Sequence, residues 1–217
     1  MLDASGMETS PARSGRYHHG NLVDALVTAT IAIIEERGVE HVSVREAAKR
    51  AGVSPGAPFR HFRSKTALMT AVAEQAMARL KAAVSDALAE IEDDDPIAGF
   101  GAIGRGYLRW AIANPTHFQI ISSRSMIDFD GSEDLRRDNN DIRELMVGLL
   151  CRAKAQGRLS TALDFDHLVL SARALVYGLA RMAIDGHFPE WHVSEPPPQA
   201  VQAALKLFIG LIEKKAG

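Results

Sequence analysis

One cysteine, Cys151, stands in 217 residues, so no disulfide can close within the chain and a reducing compartment suits it. No uninterrupted apolar stretch approaches the roughly 18 residues a membrane helix needs, which argues against a spanning protein. Met1 to Arg16 are small and polar and lack the apolar run of a signal peptide; the expectation is a soluble cytoplasmic protein with no membrane partner. Enzyme fingerprints are missing as well. There is no Gly-rich phosphate loop, no Gly-x-Ser-x-Gly elbow and no HExxH, and the carboxylates form no arranged pair. No segment alternates apolar and polar residues as a half-buried strand does, and no repeat recurs at a fixed period.

What is present suits a globular chain of one large or two small domains: 47% of residues are hydrophobic and 24% charged. The net charge of −2 hides an asymmetry. From Arg13 to Lys65 nine Lys and Arg face five Asp and Glu, a net of +4; the remainder carries 16 basic and 22 acidic residues, a net of −6. A basic N-terminal quarter on an acidic body fits a polyanion met at that end, although +4 is modest enough to arise from ordinary composition.

The apolar period between glycines and prolines is close to 3.6, and the expected fold is all-α. Leu22, Ala25, Leu26, Ala29 and Ile33 share one helical face, which Gly38 stops. Ser43 to Glu46 reads as a capping box in which Ser43 bonds the third amide and Glu46 reaches back. That short helix ends at Ala51-Gly52. Ser54-Pro55 then opens a second, carrying Pro55 to Phe62, and Ser64 caps a longer helix over Lys65 to Ile91. The acidic run Glu92 to Pro96 reads as a solvated linker. Further helices are expected over Ala98–Asn114, Pro115–Ser122, Leu135–Gln156, Phe165–Gly186 and Pro198–Lys215.

The last two helices carry apolar residues on two faces. Leu168, Ala172, Leu175, Leu179 and Met182 make an inward stripe, while Val169, Ala174, Val176 and Gly178 supply a second surface. Val201, Leu205, Phe208 and Ile212 are likewise opposed by Leu207 and Leu211. A helix apolar nearly all round must be covered on both sides, which points to a homodimer through these two helices.

Two short helices joined by Ala51-Gly52-Val53-Ser54 satisfy a helix-turn-helix: glycine permits the turn, Ala47 and Ala48 permit close approach, and Val53 fills the angle. The second helix would enter a DNA major groove, with Arg60 and His61 able to donate hydrogen bonds. Ser43, Arg45, Ser64 and Lys65 sit at helix starts suited to phosphate. Many αα-hairpins of this size bind nothing.

Four stretches carry a family resemblance: Tyr17-His18-His19-Gly20-Asn21-Leu22, Val42 to Ala48, Ala51 to Ser54, and Phe59-Arg60-His61-Phe62-Arg63-Ser64-Lys65-Thr66-Ala67-Leu68. In order and spacing they resemble the DNA-binding domain of the tetracycline-repressor (TetR/AcrR) family. Tyr107 to Ile120, with Asn114-Pro115-Thr116-His117-Phe118, resembles the ligand-binding domains common in such regulators. The resemblance implies a homodimeric regulator, usually a repressor, that a small-molecule effector releases from a palindromic double-stranded DNA operator. It implies a tail over residues 1–15, a helix-turn-helix head over 16–64 and an effector-binding, dimerising body over 65–217. The DNA-contact candidates are Ser43, Arg45, Ser54, Pro55, Gly56, Phe59, Arg60, His61 and Lys65. Ala57 and Phe59 depart from the family, where Thr or Ser and Tyr are frequent; each change removes a hydroxyl.

Aromatic and sulfur-bearing residues gather in the C-terminal part, and core packing is the default role of each. Trp110, Phe118, Met126, Met146, Arg173, Tyr177 and Met182 are the candidates for lining an effector cavity between helices. Arg173 and Tyr177, four apart, share a face, so Arg173 meets either a ligand anion or an acidic residue across a dimer. His167, His187 and His192 lack partners at ligand spacing, and neither a metal nor a cofactor is expected. A dimeric helical interaction module without ligand control or specific DNA binding is the second reading.

Overall fold

The computed structural model describes residues 19–159 and 164–214; the expected tail 1–15 and the Tyr17-His18 pair lie outside the described residues. Eight α-helices appear among the described residues, and no strand beyond one isolated bridge between Leu159 and Glu213. They are α1 (His19–Arg37), α2 (Val44–Arg50), α3 (Lys65–Ala89), α4 (Pro96–Ala113), α5 (Pro115–Ser122), α6 (Glu133–Ala155), α7 (Phe165–Asp185) and α8 (Pro197–Ile212).

Local chemistry sets the boundaries. Gly38 follows α1 at φ +90°, a conformation that costs glycine little, and its amide donates to the Ile34 carbonyl. Ser43, Ser64, Asp95, Ser132 and Asp164 each accept a backbone amide at a helix start. The capping box is half made. Ser43 Oγ accepts the Glu46 amide at 3.1 Å, but the Glu46 carboxylate takes Arg37 Nη2 at 2.6 Å instead of reaching back, since a charge-assisted bond outcompetes one to a neutral amide.

The expected helix over Pro55–Phe62 is corrected to a turn followed by a single tight 3-10 turn, Pro58–Arg60. Two prolines and a glycine within four residues explain it: Pro55 and Pro58 have no amide to donate, and Gly56 has little helical preference. The acidic linker is exposed over Glu92 to Asp94, as expected of a solvated loop, and is tied down at its end. Asp94 pairs with Arg152, and Asp95 both caps α4 and accepts Arg158 Nη1 at 2.6 Å. Arg158 also holds Glu213, clasping the starts and ends of three elements.

The buried core runs without a break from Leu26 and Ile33 in α1, through Ala47 and Leu68, to Val201 and Leu205 in α8. At its centre lies α4, packed against α3, α6, α7 and α8. Its glycines permit that crowding: a Cβ on Gly106 would lie 2.6 Å from the Ala83 carbonyl oxygen of α3. By length and composition α7 could cross a membrane, yet Leu168, Val169, Ala172, Val176 and Ala180 are buried in this core. Val169 and Val176 therefore belong to the inner face, and the outer face of α7 runs Leu170, Ala174, Tyr177, Arg181. On α8, Leu207 and Leu211 stand 65% and 75% exposed.

Candidate functional site

At the N-terminal end, α1, α2 and the turn segment pack around Leu26, Ile33, Val44, Ala47, Ala48 and Phe62. Gly52 takes φ +68° in the turn after α2, and the Val53 amide donates to the Ala48 carbonyl, directing the chain back across α2. All nine DNA-contact candidates, Ser43, Arg45, Ser54, Pro55, Gly56, Phe59, Arg60, His61 and Lys65, are exposed on this head, and Phe59 is the large apolar side chain among them at 43% exposure. Pro58 and Phe62 are buried and anchor the turn that presents them.

The head's charges are sorted. Glu36 engages Arg50 and Glu46 engages Arg37, and each guanidinium holds its carboxylate below the usual range by a direct hydrogen bond. Among the described residues no carboxylate pairs with Arg45, Arg60, Arg63 or Lys65. These two pairs cancel Glu36 and Glu46 against Arg50 and Arg37 and leave Arg45, Arg60, Arg63 and Lys65 as a basic surface around the turn. Lys65 sits at the start of α3 and donates from Nζ to the Val39 carbonyl at 2.6 Å, which fixes its direction while two further donors remain.

The body holds a cavity of about 520 Å³ between α3, α4, α5, α6, α7 and α8. That volume falls within the range of about 300–1,000 Å³ of small-molecule sites. Leu80, Val84, Phe100, Ile103 and Val176 give it an apolar wall. Trp110, Met146, Arg173 and Tyr177 line it; Phe118, Met126 and Met182 do not. Phe118 is fully buried one layer behind, its ring 5.6 Å from Tyr177 and 6.3 Å from Tyr107. The sequence reading missed Tyr107, which lies three residues before Trp110 on the same face of α4. Arg173 Nη1 donates to the Tyr107 hydroxyl at 2.5 Å, and the guanidinium lies 4.7 Å from the Tyr107 ring centre. Burial pushes the Tyr107 phenol up, with Arg173 opposing, so the hydroxyl keeps its proton near neutral pH.

Between the two regions, α5 touches α1. His117 is buried beside Arg79, with Arg79 Nη1 3.3 Å from Nε2, and lines a hollow of about 340 Å³ with Thr28, Ile31, Ala32 and Glu35 of α1. Burial first, and the Arg79 charge second, lower the His117 pKa. Among the described residues no group of three His, Cys, Asp or Glu is arranged to hold a metal.

A model of bacterial regulatory proteins of the tetR family matches residues 26–72, and a model of the tetracyclin repressor-like C-terminal domain matches residues 100–208, half of the chain. The chain belongs to the TetR family. Among curated TetR-family relatives, the HTH-type transcriptional regulator BetI of Yersinia pestis (strain Pestoides F) is 38% identical over 81 residues, 37% of this chain and 41% of that one. BetI 2 of Chromohalobacter salexigens is 38% identical over 81 residues, 37% of this chain and 39% of that one. The chain thus spans about two fifths of the length of the curated relatives it matches. Over the whole fold it is similar to a structure of a protein of unknown function from Rhodococcus sp. RHA1, at 27% identity and TM-score 0.75, covering 93% of this chain and 100% of that one. The ketosteroid transcriptional regulator KstR2 of Mycobacterium tuberculosis shares the fold at 19% identity and TM-score 0.67, covering 89% and 96% of the two chains.

Proposed function

We propose that this TetR-family chain is a sequence-specific DNA-binding transcriptional regulator of the cytoplasm, a repressor without enzymatic activity, released from a palindromic operator by a small molecule held in the body. Residues 16–64 serve as the head and 65–217 as the body. The observation that carries this reading is the set of exposed cations, Arg45, Arg60, Arg63 and Lys65, left without carboxylate partners around the helix-turn-helix. Such a surface suits the closely spaced charges of a duplex backbone. Ser43, Arg45 and Lys65 bind phosphate, while Ser54, Pro55, Gly56, Phe59, Arg60 and His61 lie against base edges. The 3-10 turn over Pro58–Arg60 confines base contact to few side chains.

A homodimer forms through α7 and α8, burying Leu170, Tyr177, Leu207 and Leu211, and sets the two heads about 34–36 Å apart or a multiple of it. The effector lies in the cavity lined by Trp110, Met146, Arg173 and Tyr177, with Phe118 acting from behind and Met126 and Met182 packing around it. The switching element is α5. Phe118 rests on Tyr107 and Tyr177 at the cavity, and its neighbour His117 meets α1 of the head, so a ligand that moves the two tyrosines moves α5 against α1. The effector changes operator affinity only as far as it prefers one position of α5. The shortened reading segment favours a second reading, a dimeric module without specific DNA binding. Operator selection with the full chain tests between them: a palindromic winner whose affinity falls in Lys65→Ala supports the regulator, and no preferred sequence from folded dimer refutes it.

A further inference from the structure

Resting on the effector site proposed above, we infer that the cavity takes an apolar carboxylic acid whose carboxylate lies among Arg173, Tyr107 and Trp110. The apolar walls suit a hydrocarbon body, and three donors on the lining, Arg173, Tyr107 and Trp110, face no carboxylate. Arg173 has no carboxylate partner among the described residues; its bond goes to the neutral Tyr107 hydroxyl. Because that oxygen accepts from Arg173, the Tyr107 proton remains to be donated. Trp110 is 4% exposed, and its Nε1, a donor only, is buried with no hydrogen-bond partner; the buried Ser122 hydroxyl is also unpartnered. A buried donor without an acceptor costs stability, so such groups mark a place where a ligand supplies the acceptor.

The charge arithmetic excludes an amine. Asp166 is the carboxylate among the described lining residues, and it is occupied by Arg143. An ammonium ligand would face Arg173, and the acceptors left on the lining are neutral: the amide oxygen of Asn139 and the hydroxyls of Ser122 and Tyr177. A second lining cation, Arg124, keeps its charge but lies over the Phe129 ring, 3.4 Å from its centre. The Arg173 guanidinium, with the Tyr107 hydroxyl bonded to it and the unpartnered Trp110 Nε1 on the same lining, matches the single charge and two acceptor oxygens of a carboxylate. A dianionic phosphate would need Arg124 drawn off the Phe129 ring to match its second charge.

Two matched series test this on the full chain: decanoate, decanol and decylamine, and naphthylacetate, naphthylethanol and naphthylethylamine, with decyl phosphate added to the first. Binding is followed by titration calorimetry and by the two tryptophan indole N–H resonances, Trp191→Phe assigning the Trp110 signal. In at least one series the acid is expected to bind about tenfold or more tighter than the alcohol, with the amine weakest, and to shift the Trp110 resonance. Arg173→Met is expected to bring the acid-to-alcohol ratio to about one, and Tyr107→Phe to reduce it. Equal binding of acid and alcohol, preference for amine or phosphate, no binding in either series, or an unchanged ratio in Arg173→Met overturns the inference. So does an Arg173→Met variant whose sole defect is weaker dimerisation. Operator occupancy, read in parallel, separates the two claims. An acid that binds without releasing DNA keeps the ligand class and refutes the release mechanism; an amine that releases DNA does the reverse.

Discussion

Replacing both outer leucines of α8, in Leu207→Glu/Leu211→Glu, should turn the dimer into folded monomers. Full burial of a leucine stabilises by about 1.5–3 kcal/mol. Leu207 and Leu211 are 65% and 75% exposed in the single chain, so most of that gain is still to be made. At roughly 1–2 kcal/mol each, the four leucines of a symmetric pair contribute about 4–8 kcal/mol to association. Their loss raises the dimer dissociation constant by about three to six powers of ten. Four new carboxylates across a two-fold axis add repulsion. The single chain should be unharmed, because neither leucine packs in its core and Val201, Leu205, Phe208 and Ile209 hold α8 in place. Sedimentation velocity across a dilution series reads the association state and circular dichroism the fold. A variant that stays dimeric at the concentrations where the wild type does, or a wild type that is monomeric, refutes the assignment of the interface to α7 and α8.

Gly106→Ala should destabilise by about 1–3 kcal/mol despite the better helix propensity of alanine, because the new methyl meets the Ala83 carbonyl at 2.6 Å. Gly148→Ala, in α6 with open space around the position, should gain roughly 0.5–1 kcal/mol; chemical denaturation of both checks the pair, and equal shifts would refute the packing argument. The buried, neutral His117 has a folded pKa below the unfolded value near 6.5, so it contributes stability above that value which is lost as pH falls through it; His117→Gln should flatten the melting-temperature slope between about pH 7 and pH 5. For Asp95 and Asp138 burial pushes the carboxyl up, but the hydrogen bonds from Arg158 and Lys81 win and hold both below the ordinary 3.8. Their stabilisation is present above that value and lost as pH falls through the depressed folded values, and Asp95→Asn should shift the acid-unfolding midpoint upward. Lys65→Ala should weaken binding to all duplexes and lower the salt slope by about one, and an unchanged slope removes Lys65 from the phosphate contacts.

The parts of the fold that depend on local chemistry were legible in the sequence. Helical period and the caps Ser43 and Ser64 placed elements within a few residues of their observed ends, because a cap acts on amides two or three residues away. Pro55 to Phe62 misled because Ser54-Pro55 has the form of a helix start, while the second proline and the glycine behind it do not sustain a helix. Spacing separated the two faces of α7 poorly. Positions 169, 172, 176 and 180 and positions 170, 174, 177 and 181 are both helical stripes, and only the neighbours α4 and α8 decide which is covered. The exposed candidates on the head were readable from the turn motif. The cavity was not, since its lining comes from six elements whose mutual placement is set by close approaches such as that at Gly106. Tyr107 was within reach from its spacing to Trp110, but its partner Arg173, 66 positions away, shows the relation only in three dimensions.

The most direct test of the central claim is selection of bound sequences from a random duplex library, followed by salt titration of the winner in the presence and absence of a ligand that binds the body. The account predicts a palindromic site, two half-sites about one helical turn or a multiple apart, a steep loss of affinity with salt, and weaker binding when the cavity is filled. Folded dimeric protein that enriches no sequence at low salt would contradict it.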